Sequence, residues 1–101
     1  MNNDPLGPKD PEKIKTIKFP FARELGGATI ASVTSVTPST FKGVDPSPGA
    51  VVMGGPVISG TDVLQRMQGG LDGVVYKWRA KVVDSNGNTH VATALVLVKT
   101  L

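Results

Sequence analysis

Apolar and polar positions alternate along most of the chain from about residue 13 onward, which predicts β-strands. The first strand carries its apolar side chains on every second position, at Ile17, Phe19 and Phe21. Because proline cannot donate to a ladder, Pro20 indicates that this strand lies at the edge of a sheet. Residues 28–37 are rich in β-branched side chains and predict a second strand.

The middle of the chain is less regular. Residues 38–49 are rich in proline and glycine, which predicts a loop or a ragged sheet edge. The chain resumes as a strand at residues 50–53. Residues 61–68 fit either a single helical turn capped by Thr61 or Asp62, or a strand. The strand is favoured, because its neighbours are strands and so short a helix is marginal.

The C-terminal third has the clearest pattern, that of a β-hairpin. An Asn-Gly pair at residues 86–87 separates two strand-like runs, which is a strong hairpin indicator. The returning run, residues 91–98, is apolar on both faces, which predicts that both faces are covered. The outgoing run alternates a core face with a basic face: the core face carries Val74, Tyr76, Trp78, Ala80 and Val82, and the basic face carries Lys77, Arg79 and Lys81.

These elements predict an all-β fold, a single immunoglobulin-like β-sandwich with a flexible N-terminal arm. The pair Gly73 and Tyr76 before the penultimate strand is typical of the tyrosine corner of such sandwiches. Since the chain has no cysteine, packing around Trp78 replaces the inter-sheet disulfide. Residues 1–12 are polar and proline-rich and are assigned to the arm, and residues 13–101 to the sandwich.

Length and charge limit the function classes. A chain of 101 residues forms one domain, too small for the separate cofactor and substrate lobes of many enzymes. Eleven Lys and Arg against eight Asp and Glu give a net charge of +3, and the excess is dispersed, so no nucleic-acid partner is expected. The chain also lacks an apolar run of membrane-spanning length or a signal-peptide core, so no membrane partner is expected.

Candidate chemistry is sparse. His90 is the single histidine, and Asp84 and Ser85 lie near it across the hairpin, but an exposed tight turn offers neither a pocket nor an oxyanion site. The same turn opens like a calcium loop, yet Thr89 and Leu95 stand where glycine and glutamate are required. The glycine-rich turns lack phosphate-binding spacing. The sequence therefore predicts a non-enzyme with no catalytic residue, cofactor or metal.

Contacts with other proteins are the remaining possibility. The basic face could meet an acidic partner, or it could be a solvated face that resists aggregation. An aromatic side chain in the proline-rich loop could be exposed, and a proline-rich arm could order on a neighbouring subunit. The candidate interface residues are Pro5, Pro8 and Pro11 in the arm, Phe19 and Phe41, and Lys77, Arg79 and Lys81.

Several stretches in this order resemble the fibre-tail adaptors of tailed bacteriophages, over residues 9–101. They are Lys-Asp-Pro-Glu at 9–12, Leu-Gly-Gly-Ala-Thr-Ile-Ala-Ser at 25–32, Gly-Gly-x-x-Gly-x-x-Tyr at 69–76 and the terminal hairpin. The resemblance implies a non-enzymatic virion structural protein that couples tail fibres to the tail. It also implies contacts with other tail or fibre proteins and with symmetry copies of the chain. The expected location is the virion tail, after synthesis in the bacterial host cytoplasm.

Other functions fit the same composition. A capsid decoration protein or a head-tail connector would share the fold and differ in its place in the particle. A carbohydrate-binding immunoglobulin-like adhesion module would need exposed aromatic side chains, for which Phe41 and Trp78 are the candidates. A small hydrolase would depend on His90.

Overall fold

The structure is a computed structural model that describes residues 9–100. It contains two three-stranded antiparallel sheets, of order β1-β4-β3 in the first sheet and β2-β5-β6 in the second. The predicted all-β sandwich is confirmed. The elements are β1 Lys15–Pro20, α1 Ala22–Leu25, β2 Ile30–Lys42, a 3-10 turn Pro48–Val51, β3 Val52–Ser59, β4 Asp62–Met67, β5 Val75–Asp84 and β6 Thr89–Leu97.

The core lies between the sheets and is built from the predicted alternation. Trp78 and Tyr76 of β5 are fully buried and are its largest side chains. Burying a large apolar side chain contributes roughly 1.5–3 kcal/mol, so these two make large contributions to the sandwich. The predicted apolar faces of the first strand and of β5 are both buried, with 4% exposure or less: Ile17, Phe19, Phe21, Val74, Tyr76, Trp78, Ala80 and Val82.

The ambiguous segment after residue 60 is a strand, as predicted. β4 lies at the centre of the first sheet and pairs with β1 on one side and β3 on the other. Its inward residues Val63 and Met67 are fully buried. A helical turn there would leave the two edge strands, β1 and β3, without the central strand that both of them pair with.

The sequence left residues 38–49 open between a loop and a ragged sheet edge, and β2 continues through Pro38 to Lys42 as an irregular edge strand. Pro38 pairs with Trp78, and alternate residues of β5 direct their N–H and C=O groups toward β6. The nitrogen of Pro38 therefore points away from β5, to the outside of the sheet. Proline is tolerated at such an edge position because no ladder hydrogen bond is lost.

β3 differs from the prediction, which started a strand at residue 50. Residues 48–51 form the 3-10 turn, and β3 then carries a bulge between Met53 and Val57. The buried amide of Gln65 stabilises this bulge, since its Nε2 donates to the carbonyl of Gly54 at 3.0 Å. Gly54 and Gly55 give the backbone the freedom to bulge, and Pro56 restricts it afterwards.

The described chain begins at Lys9, within the segment that the sequence assigns to the arm. Lys9 is fully buried, and its N–H donates to the carbonyl of Leu97 at 2.8 Å. Its own carbonyl accepts from the N–H of Lys99 at 2.8 Å, so residue 9 forms a parallel bridge with Val98. Lys9 is thus part of the sandwich and not of a free arm. None of the helices in residues 9–100 has the length and apolarity to cross a membrane.

Candidate protein interface

The basic face lies on the outer side of the second sheet. Lys77 and Arg79 are exposed and Lys81 is half-buried, because the opposite face of β5 forms the core. Their partners on β2 are the neutral residues Ser39, Thr37 and Ser35. The strands of this sheet contain no acidic residue other than Asp84, which is buried. The surface is therefore uniformly positive and suits an acidic protein surface.

Two apolar side chains on β6 border the basic face. Val91 is 41% exposed and lies opposite Lys81, and Leu95 is 39% exposed and lies opposite Lys77. The sequence predicted cover on both faces of this strand; the described residues of this chain cover only the inner face, so cover of the outer face by a partner stays a prediction. The inner face is buried in the core, and the outer face is open. A partner that covered Val91 and Leu95 would remove apolar surface from water.

One end of β5 is closed by a tyrosine hydrogen-bond network. The hydroxyl of Tyr76 donates to Asp45 Oδ2 at 2.5 Å and accepts from the N–H of Leu71 at 3.0 Å. The bond to the upstream backbone agrees with the predicted tyrosine corner. Burial, supported by the hydrogen bond to Asp45, raises the pKa of Tyr76 to about 12. The network fixes the loop after β2, beside the exposed Phe41.

The other end of β5 is closed by Asp84. Its Oδ1 accepts from the N–H groups of Asn86 and Asn88, and its Oδ2 lies 2.8 Å from Nε2 of His90. These bonds, led by that to His90, lower the pKa of Asp84. Ser85 is engaged elsewhere, since its Oγ accepts from the N–H of Thr29 at 3.2 Å. Asp84 and His90 thus stabilise the hairpin turn, whereas Ser85 links the turn to the segment before β2.

Lys9 anchors the N-terminal end of the described chain with its side chain as well. Its Nζ donates to the carbonyls of Gly69 at 2.7 Å and Asp10 at 2.9 Å. Burial lowers the pKa of Lys9, and the charge of Lys15 acts in the same direction against the opposing effect of Asp10. The residue pattern did not predict this anchor, because a lysine in a polar, proline-rich stretch is typical of a solvated segment.

A shallow groove of about 450 Å³ lies on the outer face of the first sheet, next to the β3 bulge. It was not predicted, although a Gly-Gly-Pro run inside a strand is the pattern that marks a bulge. No cluster of three or more metal-ligating side chains occurs in residues 9–100. The groove is lined by Thr16, Met53, Gly54, Gly55, Val57, Leu64 and Arg66.

The remaining predicted interface residues fall into different places. Phe19 is 1% exposed and belongs to the core, so its assignment to an interface is wrong. Phe41 is 52% exposed and stays available for a partner, and Pro11 is half-buried. Pro5 and Pro8 lie outside the described residues. The structure brings together the three cations of β5 with two apolar residues of β6 that were not candidates.

Comparison with known protein families assigns most of the chain to a family. A family model described as "Podophage GP4 fiber-tail adaptor protein gp77" matches residues 9–97. The matched region contains both sheets, the basic face and the Lys9 anchor. Neither the curated proteins nor the solved structures include a significant match to this chain.

Proposed function

Because this chain belongs to the podophage GP4 fiber-tail adaptor family, we propose that it couples tail fibres to the tail of a phage particle. Family membership makes it a structural protein of a phage tail. The coupling itself requires at least one surface that binds a neighbouring tail or fibre protein. The proposed action is non-enzymatic, in agreement with the structural role of the family.

The basic face is the observation that supports this proposal. Three cations on one strand of a well-packed sheet form a preorganised surface, so docking costs little reordering of the backbone. Charge complementarity would favour an acidic patch on the partner and would set the orientation of docking. The apolar pair of Val91 and Leu95 adds buried area next to the charges.

The alternative functions have weaker support in this chain. A carbohydrate-binding module uses exposed aromatic platforms, but Trp78 is completely buried in the core. Phe41 alone remains for such a platform among the two candidates. A decoration protein of the shell would share the fold, so only the position in the particle separates it from an adaptor.

Several copies of the chain are expected in one particle, since tails are symmetric and a closed ring lets a small domain bury more surface. The proposed partners are therefore tail proteins, fibre proteins and symmetry copies of this chain. Its proposed location is the tail, at the base of the fibres.

The experiment that tests the proposal combines location with charge reversal. Immunogold electron microscopy of purified particles should place the chain at the fibre base. The double variant Lys77→Glu/Arg79→Glu should fold normally and enter particles at least tenfold less well, about 1.4 kcal/mol or more of lost binding. The matched control Lys13→Glu/Arg23→Glu changes two exposed cations away from the second sheet and should enter particles normally.

Two results would overturn the proposal. Gold over the shell would assign the chain to the head as a decoration protein. Equal incorporation of the two double variants would show that the basic face is a solvated surface with no partner.

A further inference from the structure

We propose that the outer edge of β6 receives an extended strand from a neighbouring tail or fibre protein, which continues the second sheet by one strand. The inference rests on the proposed function and names the edge through which the chain binds. Strand addition supplies affinity through backbone hydrogen bonds and specificity through alternate side chains.

The four edge strands of the sandwich differ in how they are protected. Three of them contain a proline: Pro20 in β1, Pro38 in β2 and Pro56 in β3. β2 and β3 also carry bulges, which disrupt the regular edge that another strand needs. β6 contains no proline, and its register with β5 is unbroken from Thr89 to Leu97. It is the one edge strand of the described sandwich without such protection.

The backbone of β6 presents a usable ladder to the outside. The N–H of Val98 donates to the carbonyl of Val74, just before β5. In the same register, the backbone N–H and C=O groups of the even-numbered residues of β6 point toward β5. The N–H and C=O groups of Val91, Thr93 and Leu95 therefore point away from the sheet. Lys9 already uses this outer side farther along, where it bonds the carbonyl of Leu97. That isolated bridge shows that outward backbone groups at this end of the edge can pair with another chain segment.

The side chains of the edge indicate the chemistry of the partner. β6 contains no Lys, Arg, Asp or Glu, so no charge opposes an incoming strand. Val91 and Leu95 are exposed and would pack against apolar residues on the outward face of that strand. The cations of the basic face lie one strand farther in, and their long side chains can reach over β6. The partner strand is thus apolar and carries Asp or Glu on its outward face.

Two occupants from this protein itself fit the edge less well. Continuing the parallel register of Lys9 upstream would place Pro5 opposite the carbonyl of Thr93, and proline has no N–H to donate. A second copy of β6 would place another basic face on the same continuous sheet, with no acidic side chain between the two. An acidic partner strand avoids both problems.

Hydrogen–deuterium exchange tests the inference in the assembled particle. Peptides that cover residues 89–97 are compared between the purified chain and the chain in intact particles. The outward amides of Val91, Thr93 and Leu95 should exchange about 100-fold more slowly in particles, because they become hydrogen-bonded. Equal exchange in both samples would overturn the proposal. Protection already present in the purified chain would also overturn it, and would indicate a second copy if it grows with concentration, or residues 1–8 if their deletion removes it.

A substitution at the centre of the edge gives a second test. The N–H of Thr93 points outward, so Thr93→Pro removes one donor from the edge and leaves the ladder with β5 intact. The variant should keep its thermal transition within a few degrees and enter particles at least tenfold less well. Thr93→Ala retains the N–H and is the matched control. If the proline variant misfolds, Leu95→Glu keeps the backbone and should also reduce incorporation, because it removes an apolar contact and places an anion beside the acidic outward face of the partner strand.

These tests separate strand addition from the adaptor function. If wild-type protein lies at the fibre base and both Thr93→Pro and Leu95→Glu enter particles normally, strand addition at β6 is wrong and the adaptor function stands. If gold labelling excludes the tail, the adaptor function fails whatever the edge variants do.

Discussion

At one end of β5 the hydroxyl of Tyr76 reaches Asp45, 31 residues earlier, whereas at the other end Asp84 binds groups within six residues of itself. The first closure joins distant parts of the chain, and the second organises a single turn. An aspartate is the acceptor at both ends, but a side-chain hydroxyl donates to Asp45, whereas two backbone N–H groups donate to Asp84. The comparison separates polar contacts that hold the sandwich together from polar contacts that shape a hairpin.

The two ends also respond to pH in opposite directions. The pKa of Tyr76 is raised, so the folded state keeps a proton that the unfolded chain releases. The pKa of Asp84 is lowered, so the folded state releases a proton that the unfolded chain keeps. The tyrosine end therefore loses its stabilising effect in alkali, and the hairpin end loses it in acid.

The largest difference between the ends should come from their glycines. In Gly70→Ala the new Cβ would lie 2.7 Å from Val98 Cγ2, at a backbone φ of +99° that L-residues rarely adopt. A loss of about 3 kcal/mol in the free energy of unfolding is expected from strain and overpacking together. Gly87→Ala at the hairpin also has a positive φ, of +84°, but meets no atom within 4 Å, so about 1 kcal/mol is expected. Urea unfolding measures both, and equal losses would contradict this contrast.

The next largest effect concerns the hairpin itself. Asp84→Ala removes the acceptor for two backbone N–H groups and for His90, which should cost about 2 kcal/mol. Asp84→Asn retains an amide oxygen as acceptor and should cost less than half as much. Thermal or urea unfolding of both variants measures the two losses of stability. If the two lose the same stability, the charge of Asp84 is what matters and not its acceptor geometry.

A smaller loss is expected at the tyrosine end. Tyr76→Phe keeps the buried ring and removes only the hydroxyl, which leaves Asp45 and the N–H of Leu71 to water. The free energy of unfolding should fall by about 1.5 kcal/mol, since both groups lie near the surface. Asp45→Asn is the companion variant and should produce a similar or smaller loss. A loss above that of Gly70→Ala would mean that the hydroxyl, and not the close packing, dominates this end.

The smallest expected effect is in the pH dependence of stability, because neither Tyr76 nor Asp84 titrates near pH 7. In alkali, stability should fall as the pH rises from about 10 through 12, and Tyr76→Phe should flatten this decline. In acid, stability should fall below about pH 4 as Asp84 takes up its proton, and Asp84→Asn should flatten that decline. Urea midpoints over the two ranges test both. A Tyr76→Phe variant with an unchanged alkaline decline would assign that decline to other groups.

Local patterns predicted much of this fold. The alternation around Trp78 and the Asn-Gly turn depend on neighbouring residues, so the sequence predicted the hairpin correctly. The sequence could not decide between a loop and a sheet edge at Pro38, because a proline is acceptable only at an edge and the edge position depends on a distant strand. Likewise, the burial of Lys9 depends on the carbonyl of Gly69, which lies 60 residues away.

The candidate interface was predicted only in part, for a related reason. Alternation correctly placed the cations on the outer face of the sheet. It also placed Phe19 on the apolar face of the first strand, so the choice of Phe19 as an interface residue went against the pattern, and the structure has it buried. The two apolar faces of residues 91–98 indicated cover without showing which molecule provides it. Whether Val91 and Leu95 meet this chain or a partner depends on the order of strands in the sheet, which periodicity does not encode.

The parallel bridge at Lys9 has a mechanical consequence for the proposed coupling of a fibre to a tail. A force along the strand axis at Lys9 would load its backbone bonds to Leu97 and Lys99 together. The bond from its ammonium to the carbonyl of Gly69 adds a third attachment. Lys9→Met removes that side-chain bond, so we expect single-molecule pulling to detach this end of the domain at a lower force.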